Sequence, residues 1–158
     1  MRITVLSDSH RRGDRVRRIL EERQDSDHIF FLGDVVTDIE DLQAEFPAKT
    51  FYIVSGNCDP FSLLPSSGIE QLAGRRIFYT HGHVFGVKHG IGQLLRAAKA
   101  ANCEIALYGH THIPQIVYED GLYLVNPGSC GAPRDGKATY AVIDLEPSGI
   151  MPILVEIT

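Results

Sequence analysis

Apolar runs that end in polar residues recur along the first two thirds of the chain, and helical patterns separate several of them. Such alternation is typical of βαβ units, in which right-handed crossovers join parallel strands. We therefore predict an α/β fold. The five runs predicted as strands are Ile3 to Leu6, His28 to Leu32, Thr50 to Val54, Arg76 to Thr80 and Glu104 to Tyr108.

Helix signals lie between these strands. Asp14 is a candidate N-cap for a helix that ends near Arg23, because a side-chain oxygen there can accept a backbone N–H. Thr37 and Glu40 resemble a capping box at the start of a short second helix. A third, amphipathic helix is predicted from apolar residues at i, i+3, i+4 and i+7, namely Ile91, Leu94, Leu95 and Ala98.

The last third of the chain has the pattern of antiparallel strands rather than of βαβ units. With no internal repeat or long linker, we expect residues 1–158 to form one domain that contains mixed sheets. The β-like runs there are Gln115 to Tyr118, Leu122 to Val125, Thr139 to Leu145 and Ile153 to Ile157.

Each of the five early strands is followed by side chains that can bind metal ions. Ligands of open α/β sheets bind outside the carboxyl ends of the strands, so we predict that these side chains meet at one sheet edge. Five of the seven histidines belong to these polar segments, if His83 is counted. The seven candidate ligands are Asp8, His10, Asp34, Asn57, His81, His110 and His112.

The mixture of carboxylates and imidazoles suits Mn²⁺, Fe or Zn²⁺, whereas oxygen ligands alone would favour Mg²⁺ or Ca²⁺. Seven ligands are too many for one tetrahedral zinc ion. They fit two ions about 3.5–4 Å apart that share a carboxylate. We therefore predict that His110 and His112, which only Thr111 separates, bind different ions.

The sequence resembles the calcineurin-type metallophosphoesterases, and most closely their small bacterial and archaeal phosphodiesterase branch. The resemblance implies a four-layer α/β-β/α sandwich with two mixed sheets. It covers nearly the whole chain, and it is carried by segments in the family order: D-S-H at 8–10, G-D-V-V-T-D at 33–38, G-N-C-D at 56–59, H-G-H at 81–83, G-H-T-H at 109–112 and N-P-G-S at 126–129.

The same resemblance implies the ligands of each ion and the reaction. Asp34 would bridge the ions, which are expected to be Mn²⁺, with Ni²⁺, Zn²⁺, Fe²⁺ or Mg²⁺ as alternatives. A hydroxide between the two ions would attack a small phosphodiester in line with the leaving group. The implied sets are Asp8, His10, Asp34 and His112 for the first ion, and Asp34, Asn57, His81 and His110 for the second.

One position departs from the pattern of larger relatives, which carry a histidine after the asparagine as general acid. This chain has Cys58 there, as the small branch does, and a thiol is a weak hydrogen-bond donor. We therefore expect activated diesters to be hydrolysed faster than alkyl monoesters. His83 is a candidate contact to the substrate phosphate or a structural hydrogen-bonding residue. Asp38 and Asp59 either support the site or occupy a helix start and a turn.

Charge, hydropathy and cysteine content restrict the partners. The net charge of −5 gives no basic surface for stable nucleic-acid binding. No apolar run approaches the roughly 20 residues of a bilayer-spanning helix, so no membrane association is expected. Three cysteines without a C-x-x-C pair indicate reduced thiols and a cytoplasmic protein. The connector with Phe61, Leu63 and Leu64 either packs internally or forms a homodimer contact.

Two alternatives to an enzyme of small diesters are open. The retromer scaffold subunit has a similar fold with an altered metal site, so a non-catalytic interaction scaffold is possible. All seven ligand positions are nevertheless filled by competent residues here. A phosphoprotein phosphatase is the other alternative, although that class is expected to have the histidine that Cys58 replaces.

Overall fold

The computed structural model describes residues 1–158 and contains ten strands and three α-helices. Three short 3₁₀ segments lie at Gln43–Glu45, Val87–His89 and His83–Phe85. The helices are α1 (Gly13–Glu22), α2 (Thr37–Glu40) and α3 (Gly92–Ala100). The strands are β1 (Arg2–Leu6), β2 (His28–Phe31), β3 (Thr50–Ile53), β4 (Ser67–Leu72), β5 (Arg75–Thr80), β6 (Ile105–Leu107), β7 (Gln115–Glu119), β8 (Leu122–Asn126), β9 (Thr139–Glu146) and β10 (Gly149–Glu156).

The strands form two mixed sheets of five. The first has the order β10-β9-β1-β2-β3, and the second has the order β4-β5-β6-β8-β7. In the first sheet β1, β2 and β3 are parallel, and Val5 lies opposite Phe30 on one side and Ala141 on the other. In the second sheet β5, β6 and β8 are parallel, with Ile105 opposite Ile77 and Tyr123.

Alternating side chains divide the apolar residues into layers. Ile3, Val5 and Phe30 belong to a core cluster that also contains Ile105 and Leu107 of the second sheet. Because successive side chains of a strand point to opposite faces, the neighbouring residues pack outward. The outward neighbours on the first sheet pack with α1, while those on the second sheet pack with α3. The predicted four-layer α/β-β/α sandwich is thus confirmed.

All nine predicted strands are present, but the structure adds β4, which the sequence analysis did not predict. The last strand begins at Gly149 rather than at Ile153. The antiparallel character of the last third is correct for β7 with β8 and for β9 with β10. However, β8 also runs parallel to β6.

Both predicted helix caps are wrong. The N-cap of α1 is Arg12 and no side chain caps it; Asp14 instead accepts a hydrogen bond from Arg12 Nε at 2.8 Å. Helix α2 likewise has Val36 at its N-cap, with no side-chain cap from Thr37. These helices therefore depend on packing of their apolar faces rather than on side-chain caps.

All three cysteines are free thiols, of which Cys103 and Cys130 are buried and Cys58 is exposed. None of the helices combines the length and the apolar character that crossing a membrane requires.

Candidate metal centre

The seven predicted ligands all follow the carboxyl ends of strands, but these strands belong to two sheets. Four of them follow β1, β2 and β3 of the first sheet, and the other three follow β5 and β6 of the second. The prediction of a single sheet edge is therefore wrong, because β5 and β6 lie in the second sheet. We call the seven residues the strand-end cluster: Asp8, His10, Asp34, Asn57, His81, His110 and His112.

The first group of possible ligand atoms comes from four residues of the strand-end cluster, namely Asp8, His10, Asp34 and His112. All of its ligand atoms lie within 4.8 Å of one another. His10 Nε2 lies 3.1 Å from His112 Nε2 and 3.6 Å from Asp34 Oδ2. His112 Nε2 lies 3.1 Å from Asp8 Oδ1. This group is the one predicted for the first ion.

A second group lies on the other side of Asp34. The ligand atoms of Asp34, His81 and His110 also lie within 4.8 Å of one another. His81 Nε2 is 3.4 Å from Asp34 Oδ1, 3.2 Å from His110 Nδ1 and 3.0 Å from Asn57 Oδ1. Asp34 therefore belongs to both groups, with Oδ2 facing His10 and Oδ1 facing His81.

Backbone carbonyls fix the orientation of two imidazoles. His81 Nδ1 donates to the Leu32 carbonyl at 2.7 Å, and His112 Nδ1 donates to the Ala132 carbonyl at 2.6 Å. Since Nδ1 carries the hydrogen, Nε2 of each neutral ring presents a lone pair to the strand-end cluster. Burial, followed by the repulsion that a protonated His81 would exert, lowers the pKa of His110 to about 4, so this ring is neutral at pH 7.

Asp8 provides a test of whether a cation fits this arrangement. Its side chain is fully buried, and Oδ2 accepts hydrogen bonds from Ser7 Oγ at 2.6 Å and His110 N at 3.1 Å. In contrast, Oδ1 is buried, and its close neighbour His112 Nε2, at 3.1 Å, has no hydrogen to donate when that ring is neutral. A buried carboxylate oxygen without a donor is costly, and a metal ion would satisfy it. The donor set therefore fits a divalent ion.

The backbone is unusual at most positions of the strand-end cluster. Residues other than glycine rarely adopt positive φ, and strained backbone of this kind concentrates at functional sites. Five of the seven residues have it: Asp8 (φ 55°), His10 (φ 44°), Asp34 (φ 62°), His110 (φ 70°) and His112 (φ 61°).

Asp59 holds the segment that contains Asp34. Its carboxylate accepts backbone N–H bonds from Asp34 and Gly56 through Oδ2, at 2.9 and 2.8 Å. Through Oδ1 it accepts two more, from Val35 and Val36, both at 2.9 Å. Asp59 thus supports the site, and it also lies in the turn before Pro60, where its own N–H donates to the Gly56 carbonyl at 3.2 Å.

Asp38 also contacts the segment that carries the ligands, although it lies in the first turn of α2. Its Oδ2 accepts a hydrogen bond of 2.6 Å from Ser9 Oγ, and Ser9 separates Asp8 from His10. The sequence analysis included Ser9 only as the middle residue of the D-S-H segment at 8–10 and gave it no role. Its only signal was its position between two candidate ligands.

His83 and Cys58 lie beside the two groups rather than within them. The His83 ring is centred 5.3 Å from that of His81 and 6.1 Å from that of His110. Its Nδ1 is buried without a hydrogen-bond partner. The Cys58 side chain is exposed, while its backbone N–H donates to Asp34 Oδ1 at 2.9 Å.

Comparisons with known proteins show the family of this chain. Residues 1–148 match the family model of the calcineurin-like phosphoesterase superfamily domain. Phosphodiesterase MJ0936 of Methanocaldococcus jannaschii is 25% identical over an alignment of 172 positions, gaps included, which covers 99% of this chain and 100% of that protein. A crystal structure of a Streptococcus pneumoniae protein, described as a predicted phosphoesterase, is 28% identical with a TM-score of 0.83 and covers 98% of this chain and 88% of that one.

A similar fold is found in a protein whose name does not refer to phosphoester hydrolysis. Entamoeba histolytica Vps29, crystallised in complex with Zn²⁺, has a TM-score of 0.77 and covers 99% of both chains. Its sequence identity is 16%, so this likeness concerns the fold alone.

Proposed function

The chain belongs to the calcineurin-like phosphoesterase superfamily, and on this premise we propose that it is a metal-dependent phosphodiesterase of small phosphodiesters. The name of its full-length archaeal relative, a phosphodiesterase, supports the diester preference. The single observation that carries the proposal is the position of Asp34, whose two carboxylate oxygens face different histidines, at 3.6 and 3.4 Å.

In this proposal the strand-end cluster holds two divalent ions. Asp8, His10 and His112 would hold one ion, Asn57, His81 and His110 would hold the other, and Asp34 would contribute to both sites. Mn²⁺ is the expected metal. When bound, two such ions would lower the pKa of a water molecule and offset the negative charge of the phosphate during in-line displacement.

Side chains next to the strand-end cluster would act on the substrate. His83 Nδ1 is buried without a partner beside the second group, so the His83 ring is suited to orient a phosphate oxygen. Cys58 lies exposed after Asn57, where it would face the leaving group. Its thiol is a weak hydrogen-bond donor, which restricts efficient turnover to leaving groups that need little protonation.

The test is hydrolysis of a panel of diesters and monoesters after chelation and reloading with Mn²⁺, Ni²⁺, Zn²⁺ or Mg²⁺. Asp34→Asn keeps the size of the side chain and an acceptor for the Cys58 N–H, but it removes the charge shared by both ions. We expect turnover of bis(p-nitrophenyl) phosphate to depend on added metal and to fall by at least about 10²-fold in Asp34→Asn. Wild-type turnover in this variant would reject the assignment of Asp34.

The likeness to Vps29 favours one alternative, a non-catalytic scaffold of the same fold. Metal binding alone does not separate the two functions, because the Vps29 structure itself contains Zn²⁺. Turnover does separate them. A reloaded protein that binds two ions and hydrolyses no diester would support the scaffold.

A further inference from the structure

A cavity of about 670 Å³ adjoins the strand-end cluster. Arg11, Val35 and Cys58 line it, and each of them directly follows a residue of the strand-end cluster in the sequence. The volume lies within the roughly 300–1,000 Å³ that is usual for small-molecule sites. The cavity is therefore placed to hold part of a ligand whose phosphate is at the metal centre.

One wall of the cavity consists of apolar side chains without protein partners. Phe61 is 96% exposed and Leu63 is 102% exposed, although both are large. Leu64 in the same loop instead packs on the core cluster next to α1. Of the two roles considered for this connector, internal packing therefore holds for Leu64 only.

The loop that carries Phe61 and Leu63 is anchored on both sides. The Ser62 N–H donates to the Asp59 carbonyl at 3.1 Å, and the Ser55 N–H donates to the Pro65 carbonyl at 2.9 Å. Ser55 Oγ also donates to the Leu64 carbonyl at 3.1 Å. These bonds hold the two apolar side chains at the mouth of the cavity.

The cavity offers one unpaired cation to a phosphate and an exposed aromatic side chain to a ring. Arg11 is its only cationic residue, and the Arg11 guanidinium forms no hydrogen bond or ion pair within the chain. Glu40 also lines the cavity, whereas the oxygens of Asp59 are occupied by backbone N–H groups. The Arg11 guanidinium suits the phosphate, while the Phe61 ring favours an aromatic partner.

We propose that this cavity is the subsite for an aromatic ester group of the phosphodiester, with Phe61 and Leu63 as its specificity-determining residues. The proposal rests on the proposed function and names its substrate class, aryl or nucleoside diesters. Arg11 draws the anion toward the metal centre, while Phe61 and Leu63 cover the ring.

Binding of two phosphonates to the Mn²⁺-loaded full chain tests this proposal without hydrolysis. Phenylphosphonate and methylphosphonate contain no ester bond, and they differ only in the group that the cavity would receive. By calorimetry, we expect phenylphosphonate to bind about tenfold more tightly to the wild type, since it alone buries a ring. Phe61→Ala and Leu63→Ala should each reduce this ratio about threefold or more without changing the affinity for methylphosphonate.

Tyr118→Ala is the matched control, because Tyr118 is 63% exposed on β7 and does not line the cavity. It should leave the ratio unchanged. Arg11→Gln should weaken both phosphonates by a similar factor. Since Phe61 and Leu63 are exposed, their truncation should not change the melting temperature, which is measured in parallel.

A ratio near one in the wild type, or an unchanged ratio in both apolar variants, overturns the subsite. So does light scattering that shows a dimer in the wild type and a monomer in both variants, because a second copy would then cover this wall. If the wild type hydrolyses bis(p-nitrophenyl) phosphate but binds the two phosphonates with equal affinity, the subsite is rejected and the proposed function is retained. If the wild type prefers phenylphosphonate as expected but hydrolyses no diester, the proposed function is rejected instead.

Discussion

His112 Nε2 lies 3.1 Å from Asp8 Oδ1, and in the neutral form of the ring neither atom carries a hydrogen. The His112 hydrogen is on Nδ1, which donates to Ala132, and Asp8 Oδ1 is buried without a donor. Two lone pairs that face each other at this distance repel. A metal ion between them turns the repulsion into coordination. Without one, the same contact raises the pKa of His112, because a protonated ring can donate a hydrogen bond to Asp8.

Metal loading should therefore stabilise the fold. At a free Mn²⁺ concentration about 100-fold above its Kd, one site contributes about 2.7 kcal/mol, which raises Tm by roughly 5–10 °C over the chelated protein. Thermal melts with chelator and with Mn²⁺ measure this. Asp34→Asn should lose most of the rise, while the exposed Asp41→Asn should keep it. Equal melting temperatures with and without metal in the wild type would contradict the prediction.

Asp59→Ala should destabilise the protein by about 2–4 kcal/mol, because four backbone N–H groups lose their acceptor. Urea unfolding measures the loss. Asp59→Asn should recover only part of it, since its amide offers one acceptor oxygen in place of two. A loss below about 0.5 kcal/mol in Asp59→Ala would show that water replaces the carboxylate.

Gly56→Ala should disrupt the metal centre through steric contact. A Cβ at Gly56 would lie 2.1 Å from Asp34 Oδ1 and 2.6 Å from the Asp34 nitrogen. The Asp34 segment must then shift, so metal affinity should fall by about tenfold or more. Gly149→Ala is the control, because a Cβ there meets nothing within 4 Å. Metal titration followed by calorimetry distinguishes the two variants, and equal affinities would refute the steric argument.

Cys58→His should change the choice of leaving group. Burial and the nearby negative charge of Asp34 raise the pKa of the Cys58 thiol, so it is protonated at neutral pH but donates weakly. A histidine donates better, and turnover of alkyl monoesters should rise about tenfold relative to nitrophenyl diesters. Rates for both substrate classes, measured with equal metal content, test this. If wild type hydrolyses both classes equally well, Cys58 does not limit the reaction.

Acid should remove the contribution of the Arg2–Asp144 pair, which joins β1 to β9 through bonds of 2.7 and 2.8 Å. The hydrogen bond from Arg2 lowers the pKa of Asp144 in the fold. The contribution is therefore complete above the ordinary carboxyl pKa and is lost as pH falls through the lowered value. Urea midpoints of wild type and Asp144→Asn should differ at pH 7 and converge as the pH falls below the ordinary carboxyl range. A constant difference would argue against this linkage.

Much of the architecture could be predicted from local sequence, because the apolar runs are strong and period-two alternation places side chains on defined faces. Strand β4 was missed because Ser67 and Gly68 open it and polar residues interrupt it, so that pairing with β5 rather than local pattern defines it. The caps failed for a similar reason. Packing of Val16 and Ile39 fixes where helices α1 and α2 begin, and it overrides the preferences of Asp14 and Thr37.

The types of the candidate ligands and their positions after strands could also be read from the sequence. That these strands belong to two different sheets could not. Sheet membership depends on which strands pair, and no local pattern in β5 or β6 reveals that. The positive φ of Asp8 and His110 carries no sequence signal either, since only glycine reliably marks such backbone. The cavity beside the strand-end cluster had one signal in the sequence, the apolar residues Phe61 and Leu63 in a connector whose packing partners were unclear.

The division of the strand-end cluster between two sheets gives the bound ions a mechanical role. Asp34 follows a strand of one sheet and His81 follows a strand of the other, so a bound ion would link the two sheets at one end of their shared core. Any displacement of one sheet relative to the other would then disrupt metal coordination before either sheet lost its own hydrogen bonds. Trimming a side chain deep in that core, such as Val5 or Ile105, would thus impair metal retention at temperatures where the protein is still folded.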